Sequence, residues 1–229
     1  MLGGIFCRWK QVVAYEFTPD GFDGRRLKII IEENIARAEN IGLRVHSVTS
    51  DMGSMNQAMW KAFSNIGVHR DSSIHNSIPH PIDCNRKLFF FADGPHLLKK
   101  LRAAIIANKQ ILLPEEFTEI YQLSSRIVKF SHFQNLVNEQ ENMDYKIAPK
   151  LNNEVITMTR FNKMKVNKAA NMFSRDVSGA LNFLSEERNN DEYRTTATFV
   201  EIMAKWFNII TSRHAILALG KNPKNEEMY

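Results

Sequence analysis

The chain has 229 residues, 44% of them hydrophobic, with 30 Lys and Arg against 25 Asp and Glu for a net charge of +5. That is a globular composition with enough apolar mass for one large domain or two small ones, and its mild basicity fits a nucleic-acid partner no better than it fits many ordinary soluble proteins. No run approaches the roughly eighteen apolar residues of a membrane span, the start lacks the apolar stretch of a signal peptide, and the lone Cys7 and Cys84 form neither a disulfide framework nor a zinc signature, so a reducing intracellular compartment is expected.

Residues 3–8 and 11–17, rich in β-branched and aromatic side chains, read as two neighbouring antiparallel strands stopped by Thr18-Pro19-Asp20-Gly21. From Phe22 to Ile41, Leu27, Ile30, Ile31, Ile35 and Ala38 recur at helical spacing, and Gly42 follows as a C-terminal stop. Leu43 to Ser50 supplies a strand. Ser54 to Ile66 supplies a helix with the apolar stripe Met55, Ala58, Met59, Ala62 and Phe63, ended by Gly67. Residues 68–86 are polar, contain two prolines and read as a long loop before the apolar strand Lys87 to Ala92. Pro95 then opens a helix that runs to Lys109. Beyond residue 110 the spacing predicts helices alone, over 114–124, 130–139, about 160–185 and 195–217. The last carries Phe199, Ile202, Met203, Trp206, Ile209, Ile210 and Arg213 on adjoining positions, and the tail from Gly220 is expected to be mobile.

An antiparallel strand pair followed by helix, strand, helix, strand and helix departs from a doubly wound fold. The fold class is therefore α/β: a partial ribonuclease H-like mixed sheet with its first strand missing, followed by an all-α half.

Two apolar runs end in a lone aspartate at a turn, Leu43 to Asp51 before Met52-Gly53, and Leu88 to Asp93 before Gly94-Pro95-His96. The C-terminal edge of a buried strand is where α/β sheets present their chemistry. From the residues alone each carboxylate admits two roles, a metal ligand or a turn and helix cap. His96 packs in a first helical turn or orients one of these aspartates. His69, His75, His80 and Cys84 match no zinc spacing and read as a solvated loop. Lys99, Lys100, Arg102 and Lys109, with Arg25, Arg26 and Lys28, are candidates for DNA phosphate contact or simply solvated helix faces. No GxxxxGK[ST] loop announces a nucleotide site.

The phrases SVTSDMGSMNQAMWKAF and FFFADGPHLLKKLRAAI, preceded by WKQVVAYEF, resemble the transposases of the P-element family, which includes the THAP-domain transposases of animals. The match runs through Ser50, Asp51, Gly53 and Asn56, then Phe91, Asp93, Pro95, His96, Leu97, Lys99 and Arg102, with Ala103 in place of the usual Asn. The segments KVNKAANMFSRDVSGAL and FVEIMAKWFNIITSR resemble the GTP-binding insertion that interrupts the family's catalytic core. The resemblance implies a partial core over 1–96 and a helical GTP-binding insertion over 97–229. It places Asp51 on the second catalytic carboxylate. Lys150, Lys165, Val166 and Ser174 fall on nucleotide-contacting positions, and Phe207 on the aromatic that faces the base. Asn208 stands where an Asp is expected and Thr211 where an Asn is usual, so guanine selectivity should be weakened, because an amide offers one neutral acceptor where a carboxylate offers two charged ones.

The implied parent activity is metal-dependent DNA cleavage and strand transfer in the nucleus, on transposon ends, with Mg2+ at the carboxylates and GTP as a structural or assembly cofactor, in a protein free to form homo-oligomers and with no membrane partner. Two ions need more acids than Asp51 and a neighbouring Asp93 supply. The chain is thus expected to be a truncated transposase, inactive alone, with a fragment of a longer gene product, or a non-catalytic nucleotide- or protein-binding module, as the alternatives.

Overall fold

In the computed structural model, residues 1–5, 9–15, 23–69 and 73–212 are described. Two compact units divide the chain, Met1–Asp93 and Gly94–Tyr229.

The first unit opens with a short antiparallel ribbon of β1 (Leu2–Gly3) and β2 (Lys10–Gln11), in which Leu2 lies opposite Gln11. The two strands expected over 3–8 and 11–17 are thus much shorter than read, since residues 4–5 and 12–15 carry no strand, while residues 6–8 and 16–22, with Cys7 and the Thr18–Gly21 turn, lie outside the described residues. Helix α1 (Gly24–Asn40) starts on Asp23, whose carboxylate accepts the Arg25 N–H at 3.0 Å, and the chain turns away at Gly42 with φ +83°. Gly24 begins α1 hard against the next helix. A Cβ there would sit 2.5 Å from the Ala58 carbonyl carbon, so a glycine is what permits this approach.

Strand β3 (Ser47–Ser50) leads to α2 (Ser54–Ser64). This helix ends earlier than its apolar stripe predicts, and Gly67 is not its stop. Asn65 takes the left-handed conformation, and the N–H groups of Asn65 and Ile66 return to the carbonyls of Lys61 and Trp60 at 3.0 and 3.1 Å. The segment read as one long loop holds three short strands, β4 (Gly67–Val68), β5 (Ile74–His75) and β6 (Ser77–Pro79). Polar residues and a proline hide them, but Pro79 ends an edge strand, where a missing N–H costs no ladder bond.

β7 (Lys87–Ala92) forms where the apolar run predicts it and lies at the centre of a mixed sheet, parallel to β3 and antiparallel to β6. Strict alternation sorts its side chains. Leu88 and Phe90 are buried with Ile35, Met59, Trp60, Phe63 and Ile66, while Phe89 and Phe91 stay 38% and 51% exposed on the other face.

The second unit runs α3 (Gly94–Asn108), β8 (Gln110–Leu112), α4 (Glu115–Ile120), β9 (Ile127–Lys129), α5 (Phe130–Glu141), α6 (Asn153–Ile156), α7 (Val166–Met172), α8 (Arg175–Glu187) and α9 (Glu192–Ile210). It is helical apart from the β8–β9 ribbon, which pairs Ile111 with the fully buried Val128 and which the helical spacing does not announce. The single helix read over about 160–185 is two, broken at Phe173 because Ser174 caps α8 by accepting the Val177 N–H at 3.4 Å. Helices α8 and α9 form a hairpin joined through Arg188–Asp191, tied by hydrogen bonds from Ser178 Oγ to the Ala197 carbonyl and from Ser185 Oγ to the Asn190 carbonyl. Their apolar stripes meet Leu98, Ile105, Phe133, Leu136 and Met172 in one continuous core. Arg213 and the tail lie outside the described residues. Among the described residues no helix is long and apolar enough to cross a membrane.

Candidate functional site

Parallel pairing of Ser50 with Ala92 brings the next residues, Asp51 and Asp93, to neighbouring strand ends, and the Asp93 N–H donates to the Ser50 carbonyl at 2.8 Å. Asp51 is half-buried. Its Oδ1 accepts the Gly53 N–H at 2.8 Å and the Asn56 Nδ2 at 2.8 Å, while Trp60 Nε1 donates to the adjacent Ser50 Oγ at 3.0 Å. The spacing Ser50, Asp51, Gly53, Asn56 is therefore one hydrogen-bonded turn that orients a carboxylate at the sheet's end. A side chain at Gly53 would crowd it, since a Cβ would lie 2.9 Å from Asp51 Oδ1. Among the described residues, no group of three or more His, Cys, Asp or Glu is arranged to hold a metal ion.

The histidines behave differently from a solvated loop. His69 and His75 stack across the β4–β5 ribbon with ring centroids 6.5 Å apart, and Cys84 is an exposed thiol. His80 is only 3% exposed: its Nδ1 accepts the Ile82 N–H at 3.2 Å, and its Nε2 lies 3.4 Å from Glu39 Oε1. The other Glu39 oxygen meets Arg86 at 2.6 Å, and Arg86 also binds Asp83 at 2.9 Å. Burial alone would raise the Glu39 carboxyl, but the Arg86 guanidinium and the Val45 N–H outweigh it and hold the group below the usual carboxylate range.

In the second unit, Lys150 is exposed just ahead of α6, Lys165 is exposed at the start of α7, and Val166 is the first residue of that helix. Ser174 starts α8, and Phe207 sits half-buried near the end of α9, packed on the core. Asn208 is exposed, as is Thr211, whose Oγ1 donates to the Phe207 carbonyl at 2.6 Å. The hairpin geometry puts Ser174 and the last turns of α9 at one end of the pair, opposite the Arg188–Asp191 connection. Helix α7 packs on both α6 and α9. Residues 150–168 carry Lys150, Arg160, Lys163, Lys165 and Lys168 against the single acid Glu154. The Lys168 ammonium, 2.6 Å from Glu154, holds that carboxyl below its usual range.

Arg102 corrects the reading of a basic DNA-contacting face. It is 1% exposed, and its guanidinium donates to backbone carbonyls: Nε to Val155 at 2.8 Å, Nη1 to Asn162 at 3.2 Å, and Nη2 to Thr157 at 3.1 Å and Glu154 at 3.5 Å. A signal for this was present, because Arg102 falls four residues after Leu98 and three before Ile105, on the buried stripe of α3. Two further cations of that reading are also engaged. Lys109 lies 4.6 Å over the Phe130 ring, and Lys28 pairs with Glu32 at 3.6 Å.

His132, which sequence reasoning passed over, is buried on α5. Its Nδ1 is 2.7 Å from Thr196 Oγ1, and its ring stacks on Tyr193 at 4.1 Å. Burial, reinforced by the Lys129 charge and only partly opposed by Glu192, pushes the imidazole down to about 4, so it is neutral near pH 7.

Comparison with known proteins agrees with both halves of this architecture. A family described as a TNP-like, GTP-binding insertion domain matches residues 96–224, and one described as a TNP-like, RNase H N-terminal domain matches residues 1–64. The chain is 26% identical over 212 residues to the Transposable element P transposase of Drosophila melanogaster, covering 92% of this chain and 25% of that protein. It is 26% identical over 234 residues to DNA transposase THAP9 of Homo sapiens, covering 100% of this chain and 24% of that protein. The solved Drosophila P element transposase strand transfer complex shares the fold, with a TM-score of 0.76 at 23% identity over 99% of this chain and 48% of that one. The chain thus spans about a quarter of the length of the curated relatives it matches. An RNase H-like sheet unit followed by a helical unit matched along nearly its whole described length leads to one assignment: the chain belongs to the TNP-like transposase family with a GTP-binding insertion domain.

Proposed function

We propose that this chain is a transposase-derived nucleotide-binding module that retains half of a ribonuclease H-like core and does not cleave DNA by itself. The parent reaction in this reading is metal-dependent DNA cleavage and strand transfer on transposon ends in the nucleus, with GTP as a structural cofactor. Residues 1–96 belong to the core and 97–229 to the insertion. The observation that carries the nucleotide half is the family match over 96–224, joined to a segment, 150–168, whose basic residues suit a phosphate chain.

The residues fit a nucleotide. Lys150 and Lys165 are exposed point charges able to neutralise phosphates, and Phe207 offers an aromatic face near the end of α9. Ser174 Oγ accepts the Val177 N–H, which leaves its O–H to donate to a phosphate or sugar oxygen. Val166 supplies a backbone position beside Lys165, and Asn208 and Thr211 stand where the base edge is read. Asn208 presents one neutral acceptor, so preference for guanine over adenine should be weak.

The fit to magnesium is poorer. Asp51 and Asp93 are the two acids that would contribute, but two hard ions need more carboxylate oxygen than this pair supplies, and one Asp51 oxygen already serves the Gly53–Asn56 turn. No cleavage step is assigned to the chain.

Calorimetric titration of the whole chain with GTP and ATP tests the reading. GTP should bind, Lys165→Ala and Phe207→Ala should each weaken it by about tenfold, and the GTP-over-ATP preference should stay below about tenfold. Failure to bind either nucleotide refutes the nucleotide half. Magnesium-dependent nicking of DNA that disappears in Asp51→Ala refutes the non-catalytic half.

A further inference from the structure

We infer that Arg102 and Asn162 form a buried clamp that sets the shape of the cationic segment 150–168 and thereby its hold on a polyphosphate. The inference rests on the nucleotide reading above and assigns a positioning role to two residues that the reading does not use.

A guanidinium taken out of water is costly unless its N–H groups are met. Arg102, 1% exposed, meets them with the carbonyls of Glu154, Val155, Thr157 and Asn162, all within nine residues of chain that lie more than fifty positions away in sequence. Asn162, 3% exposed, completes the arrangement. Its Nδ2 donates to the carbonyls of Glu154 at 3.1 Å and Thr157 at 2.8 Å, and its Oδ1 accepts the Thr159 N–H at 2.9 Å. After α6 ends at Ile156 the backbone has no regular structure until α7 begins at Val166. The Asn162 carbonyl also accepts the Lys165 N–H at 3.1 Å, but Glu154 and Val155 lie in a helix of one turn and Thr157 just beyond it, so side-chain donors from Arg102 and Asn162 meet carbonyls that α6 is too short to satisfy.

Two consequences follow. The first is geometric: Lys163, Lys165 and Lys168 project from, or just after, the clamped stretch, and Lys168 ties back to Glu154 at 2.6 Å. A clamp that fixes 154–162 fixes where these charges are presented, and preorganised cations bind an anion with less ordering cost. The second is electrostatic. Arg102 hydrogen-bonds neutral carbonyls and the Met158 sulfur, and the one carboxylate that acts on its charge, Glu154, is already paired with Lys168, so the segment keeps a net positive field. A lysine at 102 would keep that charge but lose the planar fork that reaches several carbonyls at once.

The test uses the whole chain with Arg102→Lys and Asn162→Ala, the latter leaving the guanidinium in place. Affinities for GTP and for guanosine are measured beside amide hydrogen exchange over 154–165 and the thermal midpoint. Both variants should lose about tenfold in GTP affinity with less than about a twofold change for guanosine, because only the phosphate chain uses the clamped cations. Exchange over 154–165 should rise in both, while exchange in α8 and α9 stays at the wild-type level. Equal losses for GTP and guanosine, or unchanged GTP affinity despite faster exchange, overturn the positioning role. Unchanged exchange in both variants overturns the clamp itself. If the wild-type chain binds neither ligand, the nucleotide reading and the phosphate role fall together, whereas faster exchange in the variants still upholds the clamp.

Discussion

The two units bury charge in opposite ways. In the first, Glu39 sits between Arg86 and His80, and Arg86 is shared with Asp83, so opposite charges meet at the rim of a small core. In the second, Arg102 lies within the larger helical core and donates to four backbone carbonyls and, through Nη1, to the Met158 sulfur at 3.8 Å. An ion pair at a rim fastens two elements and leaves water close at hand to replace a lost partner. A cation dissolved in carbonyls instead dictates the path of the chain that supplies them. The difference teaches that irregular backbone in this protein is held by side-chain donors, whereas the sheet unit is held by ladder bonds and paired charges.

Breaking the carbonyl clamp should have the largest effect. Arg102→Met, which removes every guanidinium donor from the 154–162 stretch and takes from the Val155 carbonyl its donor, should lower stability by about 4 kcal/mol in urea unfolding of the whole chain. A loss below about 1 kcal/mol would show that water replaces the guanidinium and that the contrast between the units is false.

Acid should come next. His132 is pushed from its ordinary 6.5 down to about 4. Between those values the unfolded chain takes up the proton and the folded chain does not, so the stability present above pH 6.5 is lost as pH falls toward 4, by on the order of 3 kcal/mol. The urea midpoint should therefore decline across this window, and His132→Gln should flatten the decline. An unchanged slope in that variant would place the proton uptake elsewhere.

The smallest effect belongs to the rim. Glu39→Gln keeps the shape but removes the charge facing Arg86, whose side chain is 20% exposed and can turn to solvent. Its urea midpoint should fall below wild type yet stay above that of Arg102→Met. The reverse order would mean that the ion-pair cluster, not the clamp, is the more tightly held. Because Glu39 is held below the usual carboxylate range, the stability it contributes is present above about pH 4.5 and lost on further acidification, and Glu39→Gln should remove that last part of the acid profile.

How much of this was readable depended on the range of the interactions. β7 and the helix after it follow directly from an apolar run and an early proline, both local signals. The turn around Asp51 was also readable, since Gly53 and Asn56 are within five residues of the carboxylate they hold. Strands β5 and β6 were hidden because their polar, proline-broken residues become strands only by pairing with β4 and β7. β8 and β9 were hidden for the same reason, each short and stabilised by the other. Arg102 was misread because a positive residue in an amphipathic helix resembles a solvated one until the distant carbonyls are in place. His80 was misread with it, since neighbours rich in Pro, Asp and Asn signal a loop without saying that one ring lies under it.

By itself the sequence determined the division into a sheet-bearing part and a helical part, the helix stop that uses Gly42, and the two aspartates at adjoining strand ends. These follow from hydrophobic period and backbone preference, which act over a few residues. Only the tertiary structure decided which charges are buried, which short segments become strands, and what holds the cationic segment in shape. Those outcomes depend on partners tens of residues apart, and the free energy of a buried charge is set by whichever groups surround it once the chain has closed.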